Sequence, residues 1–247
     1  MSNFFSLDSP FYKFMSRLTD MLKLNVLWLL TSGVLLMFVL QIFISGLGFG
    51  QFYILSFVPL VTMGAATTAV FTITLRMVDE QEGYITKAYF KAFRENFAKG
   101  NIIGWIFLIA VYAIWLDFQF FNAAEKVEQS STGYLIFGIL AIVMAFTHLI
   151  YAFAIQARYE NTVINTLRNS FSISIRYFGK TILLFIVSAV VVAFFMWNSI
   201  TQFLGILIGP ATLMLAISGS ASQIFRLIEN DNAEKEENSD SDTEETE

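Results

Sequence analysis

The chain is 247 residues long, 56% hydrophobic and only 14% charged, with a mean hydropathy of +0.63. A water-soluble domain carries about 25% charged residues, so this composition excludes an ordinary soluble protein and points to the membrane. The absence of Cys removes disulfides and thiolate nucleophiles and metal ligands, and the net charge of −5 hides two parts: ten Asp/Glu against one Lys in residues 229–247, and ten Asp/Glu against fourteen Lys/Arg before them.

Residues 1–23 lack the short apolar core and small-residue cleavage site of a signal peptide. Asp8-Ser9-Pro10 reads as a helix start, with Ser9 as cap and Pro10 in the first turn. Phe11, Phe14, Met15, Leu18, Met21 and Leu22 recur at helical spacing beside Lys13, Arg17 and Lys23, which predicts a helix lying at the membrane surface. The first span is expected over residues 24–45 and is followed by a turn at Gly46-Leu47-Gly48-Phe49-Gly50. The second, over 51–75, contains Pro59, where a kink is expected. Beyond it Thr62, Gly64, Ala65, Ala66, Thr67, Thr68 and Ala69 form a small-residue face suited to close packing.

A second basic amphipathic helix is expected over residues 82–98, with Ile85, Tyr89, Phe93 and Phe97 four apart. The third span is expected over 101–116, with room to continue through Phe121, and Gly100-xxx-Gly104 offers it a packing notch. After a loop over 122–132 comes a fourth span, 133–157, which carries His148. A third surface helix, 160–178, has an apolar stripe of Val163, Ile164, Leu167, Phe171, Ile175 and Phe178. The last two spans, 181–197 and 203–225, are divided at Asn198-Ser199, and Gly205-xxx-Gly209 and Pro210 lie within the sixth. A single broken helix with a re-entrant part is the alternative for this pair.

The fold class is therefore all-α: a polytopic transmembrane bundle of about six spans with three interfacial helices. Residues 1–228 form one membrane domain, and 229–247 form an acidic tail too charged to fold. All Lys and Arg but Lys126 flank the N-terminus, residues 76–100, residues 158–180 or the C-terminus, which places both termini in the cytoplasm. The pattern of a surface helix followed by two spans occurs over 10–75, 82–157 and 160–225. Each unit ends on arginine with an acid close behind: Arg76/Asp79, Arg158/Glu160 and Arg226/Glu229. Cations at inward helix ends explain these arginines without internal repetition, and identity between the units is low.

Few residues offer chemistry. His148, near mid-membrane, can relay protons or bind a ligand, although a hydrogen bond to a neighbouring helix is the plainer role. Thr62 and Thr67, with Thr68, Thr72 and Thr74, can line a polar path or bond back to carbonyls of their own helix. Arg158, Glu160 and Asn161 form a dense polar boundary, suited to docking a partner or holding two helices in register, and equally to ending a helix. Aromatic residues on the basic helices favour lipid over nucleic acid. There is no phosphate-binding loop, serine elbow or zinc-peptidase motif. With one histidine, and no cofactor implied, no enzyme is expected.

Several strings together carry a resemblance: Leu7-Asp8-Ser9-Pro10, Asn25-Val26-Leu27-Trp28, Pro59-Leu60-Val61-Thr62-Met63-Gly64, Phe90-Lys91-Ala92-Phe93 and Ala157-Arg158-Tyr159-Glu160-Asn161. Over residues 5–228 the chain resembles the YesL-like family of bacterial membrane proteins, a family named for its unknown function. Its members usually have Gly-Pro-Ala-Thr where this chain has Gly64-Ala65-Ala66-Thr67, so a straighter helix is expected here. Family members are often encoded beside carbohydrate-uptake genes in Gram-positive bacteria. The resemblance thus implies a non-catalytic accessory of carbohydrate (oligosaccharide) uptake or utilisation in the cell membrane, with the permease of an ATP-driven (ABC) importer or another membrane complex as its partner. A small-solute transporter or channel is the alternative.

Overall fold

The computed structural model describes residues 9–36, 40–42, 61–81, 83–126 and 132–244, and all their regular structure is helical. The helices are α1 (Pro10–Thr31), α2 (Met63–Val78), α3 (Ile85–Glu95), α4 (Phe97–Lys126), α5 (Thr132–Arg158), α6 (Val163–Arg176), α7 (Phe178–Met196) and α8 (Ser199–Glu244). Three stretches are long and apolar enough to cross a membrane: Phe97–Phe121, Phe178–Met196 and Ser199–Ala233. A fourth is added if α1 and Val34–Ile42, bent by 61° from each other, count as one span. The expected turn at 46–50 and the Pro59 kink lie outside the described residues.

α1 starts as its sequence predicts: the Ser9 hydroxyl accepts from the Tyr12 N–H at 3.1 Å, and Pro10 occupies the first turn. It does not stop at Lys23. Nothing between Lys23 and Leu24 breaks a helix, so the expected surface helix and the start of the first span form one element. It ends where the Ser32 N–H bonds to the Trp28 carbonyl and Gly33 turns to φ 77, a conformation that favours glycine.

α2 is the hub. It packs against α1, α3, α4, α5 and α8, and almost every side chain from Gly64 to Leu75 is buried. Its small residues admit backbone contact with α4. A Cβ on Gly64 would lie 2.1 Å from the Gly100 carbonyl oxygen, and one on Gly104 would lie 2.8 Å from the Gly64 Cα. The Gly100-xxx-Gly104 notch therefore receives the first turn of α2. Between those glycines Asn101 caps α2 from outside: its Oδ1 accepts the Ala65 N–H at 2.9 Å and its Nδ2 donates to the Val61 carbonyl at 2.8 Å. Thr62, the N-terminal flanking residue, makes no side-chain cap of its own.

α7 and α8 form the expected two-helix hairpin. Asn198 caps α8 by accepting the Ile200 and Thr201 N–H groups, each at 2.9 Å, and Gly205 passes against the Phe195 ring. Proline at 210 has no N–H to give the Ile206 carbonyl one turn earlier. Fully buried Asn25 of α1 supplies it: Nδ2 donates to the Ile206 carbonyl at 2.8 Å, and Oδ1 accepts the Ala211 N–H at 3.4 Å. The lost helix bond thereby becomes an interhelical one.

Two boundaries differ from the sequence reading. α4 begins at Phe97 and continues to Lys126, into the expected loop. α8 continues through Glu244, where a disordered tail was expected from 229. An existing helix extends at little cost, and Glu229 and Asp231 find arginine partners along it.

A buried carbonyl left without a partner costs about 1–3 kcal/mol. Asn25→Leu should lower thermal stability in detergent by that amount. Pro210→Ala restores an N–H to Ile206 and should recover much of the loss in the double variant. Equal destabilisation of the Asn25→Leu chain with and without Pro210→Ala would refute the coupling.

Candidate functional site

The C-terminal ends of α2 and α5 meet the middle of α8 in a charged junction. Asp79 follows α2, with its side chain 14% exposed. Its Oδ2 accepts from Arg158 at 2.9 Å, and its Oδ1 accepts from Arg226 and Ser222, each at 2.8 Å. Arg158, the last residue of α5, also grips Glu229 with two prongs, Nε to Oε1 at 3.1 Å and Nη2 to Oε2 at 3.2 Å. The Tyr159 hydroxyl donates to the same Glu229 Oε1 at 2.6 Å. The guanidinium lies 5.7 Å from the Phe225 ring centre, at cation–π range. A second pair, Arg176–Asp231 at 2.8 Å, ties α6 to the same extension of α8.

All four carboxylate oxygens of Asp79 and Glu229 are thus occupied, by charge-assisted bonds of the stronger kind. Burial pushes the Asp79 carboxyl up, but the bonds from Arg226, Ser222 and Arg158 outweigh it and hold the group below the ordinary aspartate range. The arrangement neutralises four charged groups, Asp79, Arg158, Arg226 and Glu229, and fixes the ends of α2 and α5 against α8. Among the described residues, no group of three His, Asp or Glu is placed to hold a metal ion.

The sequence candidates have different placements. Arg158 is central to the junction, and the acidic groups that it grips belong to its own chain. Glu160 is exposed and makes no ion pair among the described residues, and Asn161 contributes a backbone bond to the Tyr159 carbonyl at 3.0 Å. His148 lies at the α5–α6 contact, where its carbonyl accepts from Ser170 and its ring centre is 4.6 Å from that of Phe171. Thr67 is buried and accepts from the Trp28 indole at 3.2 Å, while Thr62 is half-buried beside the Asn101 cap. Thr68, Thr72 and Thr74 each donate to a carbonyl of α2, and Thr74 also bonds Ser218 of α8 at 2.7 Å.

Asp79, Arg226 and Glu229 join the site without having been singled out as site residues. The recurring arginine-then-acid pattern at 76/79, 158/160 and 226/229 was their signal. In space the pairing crosses between units: Arg158 takes Glu229 and Arg226 takes Asp79. Ser222 had no sequence signal, since a lone serine in an apolar helix gains its role only from what packs beside it.

Residues 21–118 match the model of a family described as "Protein of unknown function, DUF624". The match spans α1 from Met21 through α2 and α3 to Phe118 in α4, and so includes Asn25, Gly64, Asp79 and Asn101. Neither a curated protein nor a solved structure matches the chain.

Lysine cannot reproduce the two-pronged grip of Arg158. Arg158→Lys should lower thermal stability in detergent by about 1–3 kcal/mol, between an exposed and a fully buried pair. Glu160→Gln should change it by under about 0.5 kcal/mol. Equal melting curves for wild type and Arg158→Lys would reduce the junction to a surface contact.

Proposed function

We propose that this chain is a six-span, YesL-like protein of the cytoplasmic membrane that acts as a non-catalytic accessory of oligosaccharide uptake. Its spans would pack on the permease of an ATP-driven importer, with both termini and the three basic amphipathic helices at the cytoplasmic face. The observation that carries the accessory role is the use of polarity inside the bundle. Buried Asn25, Thr67, Thr74, Asn101, Gln156 and Thr166 bond across helix seams. Polar side chains spent on joining helices make a scaffold, whereas a coupled carrier places ionisable groups at midplane for its solute and ion. The link to carbohydrate rests on the family resemblance.

Six spans follow from adding two segments to the four candidates. α5 has 27 residues, about 40 Å of helix and enough to span. α2 is an apolar helix of 16 residues and completes a span with the uncharged stretch before it. Cysteines placed at Gly48, Glu128 and Ser199 should react with an impermeant thiol reagent from outside, and those at Thr86, Asn165 and Ser239 should not. External labelling at Ser239 would overturn this topology.

The accessory role predicts that the tagged chain, purified from native membranes in mild detergent, brings an importer permease with it. A solute carrier would instead move oligosaccharide by itself in reconstituted vesicles. Transport by the purified chain alone would replace the accessory reading with the carrier one.

A further inference from the structure

A groove of about 380 Å³ runs between α1 and the start of α3, lined by Thr19, Leu22, Lys23, Val26, Leu27 and Thr86. Its volume is within the range of small-ligand sites, about 300–1,000 Å³. Leu22, Val26 and Leu27 are its apolar lining residues, and Lys23 and Thr86 are the lining residues that carry an ammonium and a hydroxyl. Thr19 spends its hydroxyl proton on the Met15 carbonyl at 2.9 Å, so it adds no free donor. Lys23 has only a loose tie, 3.6 Å from Asp20, and its side chain is 58% exposed.

The position of Lys23 indicates what fills such a groove. It is the last charged residue before an uncharged stretch that continues to Leu75. In a chain that spans the membrane, that change marks the depth of the lipid headgroups on α1. The apolar lining therefore begins at the level where acyl chains begin, with a cation and a hydroxyl donor at headgroup height. Exposed Lys87 follows Thr86 and adds positive potential to the same end.

We propose that this groove binds one anionic glycerophospholipid. Its phosphate lies at Lys23 and Thr86, and the upper part of an acyl chain lies against Leu22, Val26 and Leu27. The charge complementarity selects an anionic over a zwitterionic headgroup, because a zwitterion brings its own cation to the site. The assignment rests on the membrane placement above and is independent of the accessory role.

The test is native mass spectrometry of the full-length chain released from detergent micelles containing phosphatidylglycerol or phosphatidylcholine with matched acyl chains. Wild type should retain phosphatidylglycerol preferentially. Lys23→Gln should weaken that retention about fivefold, as for loss of one cation near a lipid phosphate, and leave phosphatidylcholine unchanged. Lys91→Gln, which removes the same charge from another part of α3, should have no effect. Val26→Trp fills the groove with Lys23 intact and should also abolish preferential retention. Circular dichroism should be unchanged in all three variants, each at an exposed position. Equal retention of both lipids by wild type would overturn the site, as would equal effects of Lys23→Gln and Lys91→Gln or normal retention by Val26→Trp. Displacement of phosphatidylglycerol by inorganic phosphate would make it a soluble-anion site instead. A chain that stays monodisperse without detergent would overturn the membrane placement itself, a different failure.

Discussion

The fold depends on one backbone-to-backbone contact, where the first turn of α2 meets Gly100 and Gly104 of α4. A Cβ on Gly64 has no room there, since the Gly100 carbonyl oxygen occupies its place. That approach lets Asn101 reach the open N-terminus of α2 and satisfy backbone groups that water cannot serve in an apolar setting. It also seats α2 at the centre, with α1, α3, α5 and α8 arranged around it. A family model that matches residues 21–118 covers this contact from both sides.

Polar groups elsewhere obey the same constraint. Each buried one must be partnered, and here the partners are usually on another helix. Asn25 replaces the bond that Pro210 removes, Trp28 reaches Thr67, and Gln156 joins Asn96 to Thr166. Among the described residues the Ser188 hydroxyl is the buried side-chain group that lacks a partner. At the ends of α2 and α5 the joints become ionic, through Asp79, Arg158, Arg226 and Glu229. Tight packing fixes α2 against α4, and charge fixes it against α5 and α8.

α6 reverses the usual orientation of a soluble surface helix. On α6 the buried positions are Thr166, Ser170 and Ser174, each four residues from the next, while Ile164, Phe171 and Ile175 face outward. α3 keeps the usual orientation: Tyr89 and Ala92 are buried, and Ile85, Ala88 and Phe93 pack against the same core. The small hydroxyl face of α6 packs closely on α5, and its apolar face is left outward. In water this arrangement would be costly. At a membrane interface it satisfies both faces.

Local pattern was enough to determine the membrane class, the helical content, the Ser9-Pro10 start and the Asn198 break. Each depends on residues within a turn or two, or on apolar runs that have no alternative in water. The Gly100-xxx-Gly104 notch was legible as a notch, because small residues at that spacing leave a hole whatever fills it. That Gly64 fills it, that Asn25 serves Pro210 some 185 positions away, and that Arg158 takes Glu229 rather than the nearby Glu160 were decided only by the tertiary structure. The same holds for the continuity of α1 past Lys23 and of α8 past Ile228. Sequence periodicity marks which face of a helix is apolar, but long-range partners are chosen by where three-dimensional packing brings the chain together, and that choice is not encoded in the spacing of any single segment.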